Sequence, residues 1–251
     1  MMTNATLETL RELKLLGMVR ALEEQMAMPD AKSMSFDERL GLLVDREESD
    51  RRTRRYKSRI KKAKPRETAF IEDIDFSIPR GLDKGVLLAL AGCDWIRRCQ
   101  NVAITGPAGV GKSYLACALL NNACKEGFTA MYVRVPRLMS DIWKARADGT
   151  YQKLMSQLAK TDVLLLDDWA LTSLSIEDAR EMLEIFEDRH AVRSTIMTSQ
   201  IPPDKWHGVI PDPTLADAIM DRLIHRAHKI ALTGGSVRKL KSGIDGAGQL
   251  H

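Results

Sequence analysis

Gly106-Pro107-Ala108-Gly109-Val110-Gly111-Lys112-Ser113 decides how this chain folds. The octapeptide fits G-x-x-x-x-G-K-[ST], a loop that wraps the phosphates of a nucleotide. Its glycines let successive backbone N–H groups turn inward as an anion nest. Lys112 adds a point charge at the β- and γ-phosphates, and the Ser113 hydroxyl offers one oxygen to Mg²⁺. Asn101 to Thr105 ahead of it reads as a buried strand, and Ser113 to Leu120 behind it opens a helix whose N-terminal dipole faces the phosphates. The nucleotide contacts expected from this stretch are Gly106, Pro107, Ala108, Gly109, Val110, Gly111, Lys112, Ser113 and Tyr114. A chance glycine-rich turn would leave the flanking strand and helix without explanation. The ligand is therefore ATP or GTP, and the fold is α/β.

Outward from the loop, strands are predicted at 101–105, 129–135, 162–167, 194–199 and 228–232, with helices in the gaps. That alternation describes a parallel sheet covered on both faces. Asp162-Val-Leu-Leu-Leu-Asp167-Asp168 is an apolar strand that ends in paired carboxylates. Burial accounts for the leucines but not for two adjacent acids, so Asp167 is assigned to the Mg²⁺ shell and Asp168 to the attacking water. The competing reading of Asp168 is a helix N-cap or a solvated turn. The strand Ser194–Ser199 ends in small polar groups, and Thr198 or Ser199 could bond the water or γ-phosphate. On the helix after Asp217, Arg222 and Arg226 share a face. Arg222 could reach the γ-phosphate of a neighbouring subunit, or the two could be solvated charges. His225 and His228 have no carboxylate or cysteine partner in sequence, so metal binding is not expected there.

Charge divides the chain. Residues 51–66 hold ten Lys/Arg and no acid, leaving 28 basic against 34 acidic residues elsewhere. This is an electrostatic footprint for a polyanion, and the expected DNA contacts are Arg51, Arg52, Arg54, Arg55, Lys57, Arg59, Lys61 and Lys62. A solvated helical face normally mixes acids with such bases. One tyrosine and no base-reading constellation point to backbone contact with little sequence choice. The segment closes a helical N-terminal region: a leucine-spaced helix from Thr6 to Met26, then a capping box at Ser35-Phe36-Asp37-Glu38 that opens a helix to Ala63. Phe36, Leu40, Leu43 and Val44 are read as its core stripe. Expected domains are 1–66, 67–241 and a frayed tail 242–251. No apolar run approaches the roughly 18 residues of a membrane span. Cys93, Cys99, Cys117 and Cys124 show no C-x-x-C pairing, as expected of free thiols in a reducing cytoplasm.

The ordered motifs resemble those of the AAA+ ATPases, and specifically the IstB-like transposition helpers of bacterial insertion sequences. The resemblance rests on Ile71 to Phe76, Ile104 to Ser113, Ala145 to Tyr151, Leu165 to Trp169 and Asp212 to Arg222, and it extends from the N-terminal leucines to Arg238. DnaC-type helicase loaders are similar in the same core. The family resemblance implies an ATP- and Mg²⁺-dependent protein that assembles on double-stranded DNA and assists a cognate transposase. It places Lys112 and Ser113 on phosphate and metal, Asp167 at the Walker B position and Asp168 at the catalytic acid. It places Ser199 near the sensor and Arg222 at the trans arginine finger. Asp168 stands where many such proteins carry glutamate, and little chain follows the last strand to form a helical lid. Arg238 is a weak candidate for a second sensor. A helicase loader and a P-loop kinase for a small metabolite remain the alternatives; a kinase would have no use for the basic segment.

Overall fold

The structure is a computed structural model and describes residues 2–237. Arg238 and the expected tail lie outside the described residues. The chain forms two compact units, one through Ser58 and one from Arg59 onward. The predicted boundary at 66 falls eight residues later.

The first unit holds α1 (Met2–Glu12), α2 (Leu16–Ala27) and the start of α3 (Phe36–Ala63). The capping box forms as predicted: Ser35 N–H donates to Glu38 Oε2 at 2.8 Å, and Glu38 N–H donates to Ser35 Oγ at 3.3 Å. The single helix predicted over 6–26 is broken instead, with Lys14 in the left-handed region at φ 58. Glu47 explains the break. Its carboxylate accepts from Gly17 N–H at 2.6 Å and Met18 N–H at 3.3 Å, two first-turn donors that a helix leaves without intrahelical partners. The helices approach so closely that a Cβ on Gly17 would stand 2.6 Å from Glu47 Cα. The predicted core stripe is corrected for the same reason. The side of α3 toward α2 carries Arg39, Glu47 and Asp50, which bond Gln25, Gly17 and Arg20. Phe36, Leu40 and Val44 are left exposed, with Phe36 at 76 %.

The second unit is a three-layer α/β fold. Between the end of α3 and the sheet come α4 (Lys84–Ala91) and α5 (Asp94–Arg97). The sheet comprises β1 (Asn101–Thr105), β2 (Ala130–Arg134), β3 (Val163–Trp169), β4 (Ser194–Ser199) and β5 (Ala227–Ala231). All pairings are parallel, in the order β2-β3-β4-β1-β5. The five predicted strands are therefore found, each with its ends within two residues. The covering helices are α6 (Lys112–Lys125), α7 (Val135–Ala147), α8 (Tyr151–Lys160), α9 (Ile176–Arg189) and α10 (Pro213–Ile224). The chain leaves central β1 through α6 and returns at β2, three places away. Such a reversal opens a crevice at the carboxyl ends of the strands, where α/β sheets bind ligands.

Trp169 anchors the end of β3, packed edge-on against Phe186 at 5.8 Å and Trp206 at 5.9 Å between ring centroids. Buried Arg189 ties α8 and α9 to the start of β4, donating to Leu158 O at 2.5 Å and Thr161 O at 2.7 Å. Burial pulls its guanidinium down to about 9. All four cysteines are free thiols; Cys93, Cys117 and Cys124 are buried and Cys99 is half-buried, and burial pushes Cys117 and Cys124 up to about 11. They remain protonated and inert at neutral pH. No helix among the described residues is long and apolar enough to cross a membrane.

Burial opposes ionisation of Glu47, but the bonds from Arg51, Gly17 and Met18 outweigh it and hold its carboxyl below the ordinary range. A carboxylate depressed on folding contributes stability above its unfolded pKa and loses it as pH falls through the folded value. Glu47→Ala should cost about 2 kcal/mol at pH 7. It should also remove part of the acid sensitivity; denaturant melts at pH 7 and pH 4, followed by helix circular dichroism, measure both.

Candidate nucleotide site

The phosphate loop joins β1 to α6 at the sheet crevice. Gly106, Gly109 and Gly111 have positive φ of 143°, 83° and 101°, conformations that favour glycine. At Gly106 there is also no room: a Cβ would stand 2.3 Å from Leu232 O, in the segment that bonds back to β1 through Leu232 N–H to Thr105 O at 2.7 Å. Lys112 Nζ donates to Gly106 O at 2.7 Å and Pro107 O at 2.8 Å, so its charge sits within the loop. A cavity of about 230 Å³ adjoins it, lined by Gly109, Gly111, Lys112, Ser113 and Tyr114 on one side and Ile74, Asp75, Ile78 and Arg80 on the other. The second wall was not assigned from sequence: Ile74 and Asp75 fall in the Ile71 to Phe76 stretch, which gives no sign of facing the phosphate loop. Arg80 is buried there, donating to Asp75 O at 3.2 Å and Val110 O at 3.4 Å, and burial pulls its guanidinium down.

Asp167 is fully buried at the end of β3. Its Oδ1 accepts from Ser113 Oγ at 2.9 Å and from Thr198 Oγ1. Its Oδ2 accepts from Tyr132 OH at 2.8 Å, with Arg66 Nη1 at 3.7 Å. Burial and the neighbouring carboxylate push the Tyr132 phenol up, so it stays a donor. Asp167 and Asp168 form a bulge against β4, with Leu166 paired to Met197 and Trp169 to Ser199. Asp168 takes the left-handed conformation, φ 62, and its N–H donates to Thr198 Oγ1 at 3.2 Å. Its side chain is held by Arg134, with Nε and Nη2 each at 2.8 Å. Asp168 caps no helix; that role at α9 falls to Ser175.

Of the two hydroxyls at the end of β4, which the sequence leaves as alternatives, Thr198 meets the Asp167 carboxylate. Ser199 Oγ instead accepts from Ile201 N–H at 3.3 Å. Arg222 lies at the other end of the sheet. Its carbonyl accepts from Asn101 Nδ2 at 3.1 Å, at the start of β1, a strand length of roughly 15 Å from the phosphate loop. Its guanidinium pairs with Glu187 and donates to Ala218 O at 2.8 Å. It cannot serve its own loop.

The structure distributes the predicted DNA contacts unequally. Arg51 and Arg54 bond Glu47 at 2.6 and 3.4 Å, while Arg52, Arg55 and Lys57 are exposed. A shallow hollow of about 410 Å³ is lined by Lys14, Arg51, Arg54, Arg55 and Ser58. In the second unit Arg59 donates to Cys124 O at 2.8 Å and is spent on packing, whereas Lys61 and Lys62 are exposed.

A strand–phosphate-loop–helix with a buried carboxylate two strands away defines an ATP-binding fold of the AAA+ type. The profile of the IstB-like ATP binding protein family matches residues 8–243, and the chain belongs to that family. A putative insertion sequence ATP-binding protein of Sinorhizobium fredii is 45% identical over 239 residues, covering 95% of this chain and 98% of that protein. A putative insertion sequence ATP-binding protein of Pseudomonas fluorescens is 48% identical over 203 residues, covering 80% of this chain and 88% of that one. The crystal structure of DnaI superposes with a TM-score of 0.57 at 23% identity, covering 66% of this chain and 91% of that one, which places the fold.

The Ser113–Asp167 pair is a hard-oxygen set. That fits Mg²⁺, which takes one or two protein ligands and completes its shell with phosphates and water.

Gly106→Ala should be the most damaging single-methyl change in the loop. Strain and the clash with Leu232 O are expected to cost about 2 kcal/mol and to abolish saturable binding of a fluorescent ATP analogue.

Proposed function

We propose that this chain hydrolyses ATP with Mg²⁺, self-associates on double-stranded DNA, and in that state assists the transposase of an insertion sequence. The observation that carries the reading is the meeting of Ser113, Asp167 and Asp168 beside the phosphate loop. The insertion-sequence relatives favour a transposase as partner over a replicative helicase.

Loop N–H groups and Lys112 hold the phosphates. Ser113 and Asp167 would hold Mg²⁺, which when bound neutralises charge on the phosphate oxygens. Asp168 accepts the proton of the attacking water at a side-chain oxygen once Arg134 releases it, and Thr198 fixes the backbone that aims both acids. Arg222 then completes the site of the neighbouring subunit, supplying charge only after assembly. Arg52, Arg55, Lys57, Lys61 and Lys62 are exposed basic side chains open to phosphates.

Duplex DNA should stimulate ATP turnover, whereas a metabolite kinase should not respond. Replacing Arg52, Arg55, Lys57, Lys61 and Lys62 by alanine should weaken DNA binding and flatten its log–log salt dependence by about 0.9 per lost phosphate contact. Filter binding across a salt series measures the slope; an unchanged slope removes the segment from the interface.

The trans role is tested by mixing. Arg222→Ala and Asp168→Asn proteins should each be inactive alone, and the mixture should recover part of the wild-type ATP turnover. Co-assembly without recovery places Arg222 outside the reaction.

A further inference from the structure

Arg66 ends the basic segment, yet its nearest charge is the buried metal-site carboxylate. Its Nη1 stands 3.7 Å from Asp167 Oδ2, the oxygen that also accepts from Tyr132 and not the one shared with Ser113 and Thr198. Glu67 and Asp168 add to the same negative field. The backbone that follows Arg66 is anchored to α6, where Asn121 Nδ2 donates to Ala69 O at 2.8 Å. The side chain is not fixed in this way. It is 42% exposed, makes a long contact, and follows exposed Lys61, Lys62 and Lys64. A fixed backbone with a loosely paired, half-exposed guanidinium gives Arg66 two anions within choice, one buried and one arriving from solvent.

We propose that Arg66 is a positioning residue with two alternative partners, Asp167 and a phosphate of a polyanion bound along Lys61, Lys62 and Lys64. Paired inward, Arg66 offsets part of the Asp167 charge that Mg²⁺ needs. Drawn outward, it restores that charge, so a bound polyanion tightens metal–nucleotide binding. By reciprocity metal–nucleotide tightens the polyanion to the same extent. The second half rests on the DNA-binding reading above; the first half does not.

The test is a Mg²⁺ titration of binding by a fluorescent ATP analogue, mant-ATP, with no turnover measured. Without DNA, Arg66→Ala should lower the half-saturating Mg²⁺ by about threefold, the size expected of a water-screened charge. Arg66→Lys should stay near wild type, because it keeps the charge. A short DNA duplex should lower the wild-type value and leave Arg66→Ala unmoved. An unchanged Mg²⁺ dependence in Arg66→Ala, or equal shifts in the alanine and lysine variants, would overturn the counter-charge role. If no duplex binds the wild type, the DNA reading and the outward partner fall together, while the DNA-free comparison still decides the inward one.

Discussion

A carboxylate with no exposure to water is the constraint around which the second unit is arranged. An isolated buried charge is prohibitively costly unless hydrogen bonds and an opposite charge replace its hydration. Asp167 obtains them from four separate places: Ser113 at the start of α6, Thr198 on β4, Tyr132 on β2 and Arg66 beyond α3. Satisfying one side chain thus fixes the phosphate loop and two strands against β3, with Arg66 adding a looser counter-charge. Removing any donor weakens the fold where the site is.

What was legible in the sequence was local. The phosphate loop, the capping box at Ser35 and the apolar strand ending at Asp167 each announce themselves within a few residues, because glycine dihedrals, a cap and a buried strand are short-range physics. Asp168 stands out in sequence as the second of two adjacent acids, but its partner Arg134 does not, since β2 carries no motif and only sheet order brings it beside β3. The choice between Thr198 and Ser199 depended on a bulge, and a one-residue slip in register reverses which hydroxyl faces the carboxylate. Arg80 and Ile74 belong to a wall made by a loop, where no periodicity helps.

The N-terminal unit misled for a different reason. Leucine spacing over 6–26 describes a helix well, but Glu47, twenty residues beyond that stretch, bonds the amides of Gly17 and Met18 and holds the chain broken. The apolar spacing of Phe36, Leu40 and Val44 marks a real helical face, yet the face that packs is the polar one. Composition also overstated the uniformity of the basic segment. Ten like charges among sixteen residues appear equivalent on paper; in space Arg51 and Arg54 answer Glu47, Arg59 answers a carbonyl, and Arg66 answers Asp167.

Tyr132 and Arg134, which hold Asp167 and Asp168, both sit on β2, and among the described residues β2 is an edge of the sheet, paired only to β3. An edge strand has half the ladder of a central one, and it opens at lower free energy than the core. The two acids are therefore mounted on the stiff interior of the sheet but steered from its softest margin. Local opening of β2 would leave Asp167 held at Oδ1 by Ser113 and Thr198 but free Asp168 from Arg134, so the aim of the second acid can change without the sheet unfolding.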